Sequence, residues 1–454
     1  MDKLNDIVVL VDDYVWLVLM FLLVGSGVFF SIRTGFVQIR RFGAGWRHVF
    51  GGLKFFGDQA GEEGMSSFQA LATAISAQVG TGNIVGCVTA LVSGGPGAIF
   101  WMWVAAFFGM ATIYSEATLA QLTKTKDESG AVIGGPVYYI TKAFRGKLGK
   151  VLSAAFSILI ILALGLMGNI VQSNSISDAF NHAFGIPKLA IGVIVALIAA
   201  FIFIGGISRI AAFTEKVVPI MAVLYLLGGT LCLILFRDNL LPAIGSIFTY
   251  AFTPYAVTGG VIGIAITQAM RYGVARGLFS NEAGMGSTPH AHAIAKVDRP
   301  TDQGEVAIIG VFFDTFIVLT MTALVILSSG ILPDMIAQGT TGVTVAQHAF
   351  SGAIGEKAGP AFIAITLLFF AFSTIISWYF FAEQNIKYLF GLGARKPFAL
   401  LVVICIIIGS TLKVDLVWNL ADLFNGLMVV PNLLALLALS GVVVKAGAGK
   451  SIDL

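Results

Sequence analysis

Eleven long apolar stretches constrain this chain more than any other feature of its sequence. A membrane-spanning helix needs about 20 mostly apolar residues. Stretches of that kind lie at 14–31, 67–91, 97–121, 151–180, 189–207, 214–236, 256–273, 304–331, 359–386, 397–412 and 418–444. Because backbone groups in lipid must be hydrogen-bonded within their own segment, each stretch is predicted to be helical. The fold class predicted is an all-α polytopic membrane protein with eleven transmembrane helices.

The composition excludes several other classes of protein. Of the 454 residues, 57% are hydrophobic and 11% are charged, and the mean hydropathy is +0.92. Soluble domains carry about 25% charged residues, and disordered chains are poor in aromatic residues, whereas this chain has 36 Phe. A net charge of +3 gives no positive field on the scale that nucleic acids require.

The distribution of basic residues predicts the orientation of the chain in the membrane. Residues 1–14 contain one Lys and four Asp, the opposite of a secretory signal, so the first span is predicted to be retained. With the N-terminus outside and the C-terminus in the cytoplasm, cytoplasmic segments hold 22 of the 27 basic residues. The other side then holds Lys3, Lys188, Arg237, Lys357 and Lys413. This asymmetry follows the positive-inside rule.

The second span is interrupted at its middle by polar residues and glycine. Its sequence from Ser67 reads SFQALATAISAQVGTGNIVG, with Gly80 and Gly82 two residues apart. Glycine costs about 1 kcal/mol in a helix relative to alanine, so the span is predicted to be a broken helix. A break exposes carbonyl groups to a cation and N–H groups to an anion such as a carboxylate. The alternative is a glycine face that packs against another helix.

A second interruption is predicted near the seventh span, where residues 265–284 become rich in glycine and charge. If the second to sixth spans form one set and the seventh to eleventh another, each set begins with an interrupted helix. Five spans per set force opposite orientations, as in the inverted repeats of secondary transporters. The predicted divisions are 1–66 for an extra N-terminal helix and its loop, then 67–240 and 241–454 for the repeats. Amphipathic helices are expected in the loops 32–66 and 274–303.

Other polar residues inside the spans have two readings each. One group lies on a shared helix face and either binds a ligand or forms hydrogen bonds between helices: Asn169, Gln172 and Ser173. The hydroxyls of Ser373 and Thr374 either bind a cation or donate hydrogen bonds to the backbone of their own helix. Intramembrane carboxylates need a partner or a function. Here these are Glu116, Asp314 and Glu383, for which ion pairing and proton relay both stay open.

Signals for an enzyme are weak. His290 and His292 lie near Glu282, but residues i and i+2 do not share a helix face. The cysteines Cys87, Cys232 and Cys405 all lie in apolar stretches, which argues against a disulfide framework or a metal cluster. The sequence contains no nucleophile constellation and no Walker-type phosphate loop, so neither an enzyme nor an organic cofactor is predicted.

Two segments carry a resemblance to a known family. Residues 94–109, GGPGAIFWMWVAAFFG, and 277–287, GLFSNEAGMGS, resemble signatures of the alanine/glycine:cation symporters, the sodium:alanine symporter family. The resemblance covers essentially the whole chain. It implies a leucine-transporter-like fold in a prokaryotic cell membrane and uptake of small neutral amino acids driven by Na⁺. Alanine and glycine are the expected substrates, with D-alanine as a further candidate, and no obligate protein partner is expected.

The resemblance also implies a binding site. Residues 77–83, AQVGTGN, are similar to the broken first core helix of leucine-transporter-like proteins. By that match, the amides of Gly80, Thr81 and Gly82 hold the substrate carboxylate. The Na⁺ ligands implied are the carbonyls of Ser76 and Val79 and the hydroxyls of Ser373 and Thr374. The second break is matched to Tyr272 and Gly273. Apart from the match, the large side chains expected to face the substrate are those of Gln78, Asn169, Gln172, Tyr272 and Phe279, and Asn83 is a further candidate. The alternatives are a proton-coupled permease of the same fold, a channel and an intramembrane enzyme.

Overall fold

The computed structural model describes residues 2–51, 64–128, 130–257, 262–412 and 415–452, most of which are helical. Lys54 and Lys413 of the predicted loops lie outside these residues. The first half contains α1 Asp2–Arg33, α2 Val37–Arg40, α3 Phe42–Phe50, α4 Ser67–Gln78, α5 Cys87–Gly94, α6 Gly97–Thr123, α7 Pro136–Ala143, α8 Gly146–Ile160, α9 Asn169–Phe184, α10 Lys188–Ile204, α11 Gly206–Leu235 and α12 Arg237–Phe252. The second half contains α13 Ile266–Asn281, α14 Pro289–Ala293, α15 Pro300–Val311, α16 Thr320–Ser329, α17 Leu332–Ala337, α18 Val343–Ile354, α19 Ala358–Phe390, α20 Arg395–Gly409, α21 Asp415–Ala438 and α22 Ser440–Gly447.

Short irregular elements connect some of these helices. π-helical turns at Ile161–Gly168 and Phe312–Leu319 continue α8 and α15 into the helices that follow. A third π-helical turn, Gly82–Gly86, leads into α5, and a 3₁₀ turn spans Leu392–Ala394. Two small antiparallel hairpins pair β1 Thr125–Lys126 with β2 Val132–Ile133, and β3 Tyr255–Val257 with β4 Ile262–Ile264.

The predicted spans are confirmed as apolar helices in most places. Among the described residues, eight helices are long and apolar enough to cross a membrane, or nine if the bent pair α4–α5 counts as one span. The fifth predicted span corresponds to the shorter apolar helix α10. The count of eleven is therefore not established by length and composition alone.

The seventh span was predicted at the wrong place. Tyr255 pairs with Ile264 in the β3–β4 hairpin, and the helix that follows is α13, which begins at Ile266. β4 reads Ile-Gly-Ile, and β-branched side chains favour strands; residues 258–261 of this predicted span lie outside the described residues. Apolarity alone did not distinguish this hairpin from the start of a helix.

The second span is a broken helix, as predicted. Ser66 caps α4 by accepting from the backbone N–H of Gln69, whose side chain accepts in return from the N–H of Ser66. α4 ends at Gln78, because Val79 adopts the non-helical angles φ −82° and ψ 85°. The axis bends by 44° between Ser67–Gln78 and Gly82–Gly94.

The second break lies about ten residues after the predicted position. α13 runs without interruption through Tyr272 and Gly273 and ends at Asn281. Positive φ values then occur at Glu282, Gly284 and Gly286. Gly273 is instead a packing position, since a Cβ there would lie 2.5 Å from the carbonyl oxygen of Ala98 on α6.

The loop that follows α13 is held by buried hydrogen bonds. Glu116 on α6 accepts from the N–H groups of Gly284 (3.0 Å) and Gly286 (2.9 Å) and from Asn432 Nδ2 (2.6 Å). Glu282 accepts a hydrogen bond at 2.5 Å from Nε1 of Trp378, which belongs to α19. The loop thereby connects α6, α19 and α21.

The helices predicted in the two loops agree with the structure in 32–66 but not in 274–303. α2 and α3 form in the 32–66 loop, as predicted. The 274–303 segment instead continues α13 and then forms the buried helix α14.

At the centre of the molecule, α6 packs against α13 and α15, and α19 packs against α4 and α9. This packing brings both breaks beside α19.

Candidate functional site

The backbone of the first break is hydrogen-bonded to side chains. Gly80 N–H donates to Asn83 Oδ1 at 3.0 Å, and Thr81 N–H donates to Gln172 Oε1 on α9 at 3.2 Å. An amide oxygen and a carboxylate oxygen accept in the same way. Gln172 therefore supplies Thr81 N–H with an acceptor of the kind that a carboxylate also offers.

Several buried polar atoms near this break lack a partner. Within the described residues, no hydrogen bond reaches Thr81 Oγ1, Gln172 Nε2, Asn169 Oδ1 or Gln78 Oε1. A buried polar group left unsatisfied costs about 1–3 kcal/mol. Such a concentration on the broken helix and α9 is typical of a site that binds a polar ligand.

Hydroxyl groups of α19 meet the end of α4. Thr374 Oγ1 donates to the Ser76 carbonyl oxygen at 2.9 Å, and the hydroxyls of Ser377 and Ser76 are in contact. Gly80 permits this approach, since a Cβ there would lie 2.3 Å from Thr374 Oγ1. Carbonyl oxygens at the end of a half-helix and nearby hydroxyls are ligands that suit Na⁺.

The two predicted α19 hydroxyls are not equivalent. Ser373 Oγ donates to the Phe370 carbonyl oxygen and lies 3.6 Å from Met221 Sδ on α11. The structure therefore brings Thr374 to the break but not Ser373. Sequence reasoning missed Ser377, although it lies three residues after Thr374 and so shares its helix face. Val79 is buried at the break itself.

A buried carboxylate lies on the other side of the break. Asp314 Oδ1 accepts from Asn83 Nδ2 at 2.7 Å and from Ser280 Oγ at 3.0 Å, and Thr315 Oγ1 donates to Asp314 Oδ2 at 2.8 Å. Among the described residues, none of its hydrogen-bond or ion-pair partners is Lys, Arg or His. Ser280 was missed by sequence reasoning. Its backbone passes so close to the break that a Cβ on Gly82 would lie 2.9 Å from its Cα.

Three further predicted pocket residues lie in different surroundings. Phe279 borders Gly82, and its ring centroid is 5.8 Å from that of Trp378 and 5.6 Å from that of Trp418. Gln78 Nε2 donates to the Asn281 carbonyl oxygen at 2.7 Å, so Gln78 joins α4 to the end of α13. Tyr272 packs beside Gly94 on α5, since a Cβ added at Gly94 would lie 3.2 Å from the Cβ of Tyr272.

A wide cavity, called the vestibule here, leads towards the break. Its volume is about 570 Å³. Its lining includes Val85, Thr89, Ser175, Arg276, Thr341 and Trp418. Val85 belongs to the π-helical turn that follows the break, so the vestibule borders the second half of the broken helix.

The other candidate groups are engaged elsewhere. Glu383 is ion-paired with Arg395 (2.6 Å) and Lys387 (3.5 Å), and Glu116 holds the loop after α13. His290 contacts the Ser287 carbonyl oxygen and Asn385, whereas His292 contacts Gln303. The two histidines therefore do not face a common ligand position.

Known proteins share both the sequence and the fold. The sodium:alanine symporter family model matches residues 1–448. The sodium/alanine symporter AgcS of Methanococcus maripaludis is 42% identical over 436 residues, which cover 96% of this chain and 94% of that protein. The amino-acid carrier protein AlsT of Bacillus subtilis is 39% identical over 445 residues, covering 97% and 91%.

A solved structure extends the likeness to the fold. The crystal structure of MhsT in complex with L-phenylalanine matches with a TM-score of 0.55 and 15% identity, covering 86% of this chain and 98% of that one. The predicted leucine-transporter-like fold is confirmed. From the family match and these relatives, the chain belongs to the sodium:alanine symporter family and is a multi-pass membrane transporter rather than an enzyme.

Proposed function

We propose that the protein imports alanine and glycine, with D-alanine as a further candidate, by alternating access, and that their entry is coupled to that of Na⁺. The observation that carries this proposal is the contact between the broken end of α4 and α19, where Thr374 Oγ1 lies 2.9 Å from the Ser76 carbonyl oxygen. Carbonyl and hydroxyl oxygens gather there on one side of the break. The N–H groups of Gly80 to Gly82 lie within the break, where the half-helix dipole favours an anion.

Coupling follows from the closeness of the two positions. Only a few residues of the broken helix separate a cation beside Ser76 from a carboxylate beside Thr81. Because opposite charges attract, each ligand stabilises the binding of the other. By linkage, Na⁺ then raises the affinity for the amino acid, and the amino acid raises the affinity for Na⁺ by the same factor.

The arrangement of the chain in the membrane is part of the proposal. Residues 67–240 and 241–454 are the inverted repeats, and residues 1–66 lie outside them. In support, the chain is interrupted once in each repeat, at Val79–Thr81 directly after α4 and at 282–288 directly after α13. The N-terminus is outside and the C-terminus cytoplasmic. This orientation places Lys188 outside, and because Lys188 lines the vestibule, the vestibule is the outer entrance in a prokaryotic cell membrane.

Uptake of labelled alanine into proteoliposomes tests the function. A Na⁺ gradient and a proton gradient are imposed separately, and the same vesicles are then tested for counterflow. We expect uptake driven by Na⁺ and exchange of labelled for unlabelled alanine. Uptake without counterflow would indicate a channel, and uptake that follows the proton gradient alone would reject Na⁺ coupling.

One observation favours proton coupling as the second candidate. Asp314 is a fully buried carboxylate whose partners are neutral donors, and buried carboxylates in membranes mark proton relays as well as cation sites. If protons drive transport, Asp314→Asn abolishes accumulation but leaves counterflow intact. If Asp314 instead contributes to a cation position, Asp314→Asn changes the Na⁺ dependence of uptake.

A further inference from the structure

The N-terminal helix α1 reaches the helices that line the vestibule. Asp13 forms an ion pair with Arg271 on α13. Asn419 Nδ2 on α21 donates to Asn5 Oδ1 on α1 at 2.9 Å. α1 is thereby tied to both α13 and α21, although the proposed division places it outside the repeats.

A second ion pair joins α13 directly to α21. The Arg276 guanidinium donates to Asp422 Oδ1 at 2.9 Å and to Oδ2 at 2.5 Å, and the two side chains are 13% and 5% exposed. Arg276 also lies over the ring of Trp418, which packs on Phe279 beside the break. The Arg276–Asp422 pair therefore borders the vestibule, and Trp418 links it to Phe279 beside the break.

Asp12 is a third acid in this cluster and lacks a full set of partners. It is 8% exposed, and among the described residues neither its Oδ1 nor Arg276 Nε has a hydrogen-bond partner. Asp12 precedes Asp13, which is ion-paired with Arg271 on α13, and α1 packs against both α13 and α21. A buried charge without its partner is strongly destabilising. Asp12 is therefore a second acceptor placed near a guanidinium that is already paired.

We propose that Arg276 exchanges Asp422 for Asp12 when the vestibule opens towards the substrate site, so that α1 supplies the second acceptor of this gate. Opening separates α13 from α21, which would leave a buried guanidinium unpaired if Asp422 were its only acceptor. The exchange keeps Arg276 paired in both arrangements. Asp13, paired with Arg271, keeps α13 within reach of α1. This inference rests on the proposed alternating-access function.

Thiol accessibility of the vestibule tests the exchange. In a variant with Cys87, Cys232 and Cys405 replaced by alanine, Ser175→Cys places one thiol in the vestibule lining, one turn of α9 from Gln172. The measurement is its rate of labelling by a membrane-impermeant maleimide. We expect Asp12→Asn to slow labelling by about tenfold, because the open arrangement loses its acceptor, and Asp422→Asn to accelerate it. Asp12→Glu should restore the parent rate.

Matched controls separate gating from damage to the fold. Thr341→Cys, at an exposed part of the vestibule lining, should label at the same rate in every background. Equal Ser175→Cys labelling with and without Asp12→Asn would overturn the proposal, as would a change in the same direction for Asp12→Asn and Asp422→Asn. The labelling needs no substrate, so a failure of Na⁺-driven alanine uptake would reject the proposed function without deciding the gate.

Discussion

At the scale of single residues, the rotation of a helix decides which polar groups can serve the site. Ser373 and Thr374 are adjacent in sequence, but successive residues of a helix point about 100° apart. Thr374 and Ser377 face Ser76, whereas Ser373 faces Met221. α19 therefore contains two positions at which the proposed site can be tested, Thr374 and Ser377, and a matched control position, Ser373.

Thr374→Ala and Ser377→Ala should weaken activation by Na⁺. Losing one oxygen ligand of a cation costs about 1.5 kcal/mol or more, which corresponds to roughly a tenfold higher Na⁺ concentration for half-maximal alanine uptake. Ser373→Ala should leave this concentration unchanged. If Ser373→Ala were the variant with altered Na⁺ dependence, the ion position proposed here would be wrong.

Gln172→Glu should weaken alanine binding. Its side-chain oxygen lies at the N–H of Thr81, so the substitution places a negative charge where the substrate carboxylate is proposed to bind, and like charges close together repel. We expect the half-saturating alanine concentration to rise about tenfold or more, and Gln172→Met to be the neutral control of similar size. Equal alanine affinities for the Glu and Met variants would place the carboxylate elsewhere.

At the scale of elements, close contacts of the broken helix and of the loop after α13 hold the site together. Gly80 allows α19 to approach α4. Glu116 satisfies two backbone N–H groups of the 282–288 loop. Neither contact involves residues that are neighbours in sequence, so each fixes one element relative to another.

Gly80→Ala should abolish alanine uptake. The added Cβ would lie 2.3 Å from Thr374 Oγ1, whereas in Gly86→Ala the nearest atom is 3.9 Å away. Overpacking a buried position costs about 1–3 kcal/mol, and here the strain separates the proposed Na⁺ ligands. Uptake by Gly86→Ala should stay near the parent level, and normal uptake by Gly80→Ala would argue against close approach of these two helices.

Glu116→Gln should destabilise the protein. The neutral amide has one acceptor oxygen for donors that now bind two carboxylate oxygens, and a hydrogen bond to a charged group contributes about 1.5–3 kcal/mol. Thermal unfolding in detergent should show a lower transition temperature for Glu116→Gln than for the exposed control Glu356→Gln. Equal transition temperatures would mean that the loop is held by other contacts.

At the scale of the whole molecule, the pocket is formed by parts of the chain that are far apart in sequence. Phe279 on α13 packs between Trp378 on α19 and Trp418 on α21, beside Gly82 of the broken helix. If the substrate carboxylate binds at the break as proposed, these large rings leave room for a hydrogen or methyl side chain. The proposed selection by size would then be a property of the assembled bundle.

Leucine should fail to compete with alanine in the parent protein and should compete in Phe279→Ala. Removing the ring leaves a cavity beside Gly82, at some loss of alanine affinity through lost contacts. Tyr272→Ala is the control, because Tyr272 packs beside Gly94 rather than at the break. Equal competition by leucine and alanine in the parent protein would show that the pocket assignment is wrong.

The sequence by itself determined the membrane class, the positions of most spanning helices and the first break. These depend on local properties, namely the length of an apolar stretch and the low helix propensity of Gly80 and Gly82. The resemblance of 94–109 and 277–287 also identified the family correctly.

Only the tertiary structure decided the second break, the α19 register and the partners of the buried carboxylates. Gly273 packs against α6, whereas Gly284 and Gly286 carry the positive φ values, and glycine is suited to both roles. The sequence also did not show that Asp314 lies at the break whereas Glu116 and Glu383 lie elsewhere. The surroundings of a buried charge are supplied by residues that are distant in sequence. Local composition shows where a helix can break or a charge can be buried, but its partners depend on how the helices pack.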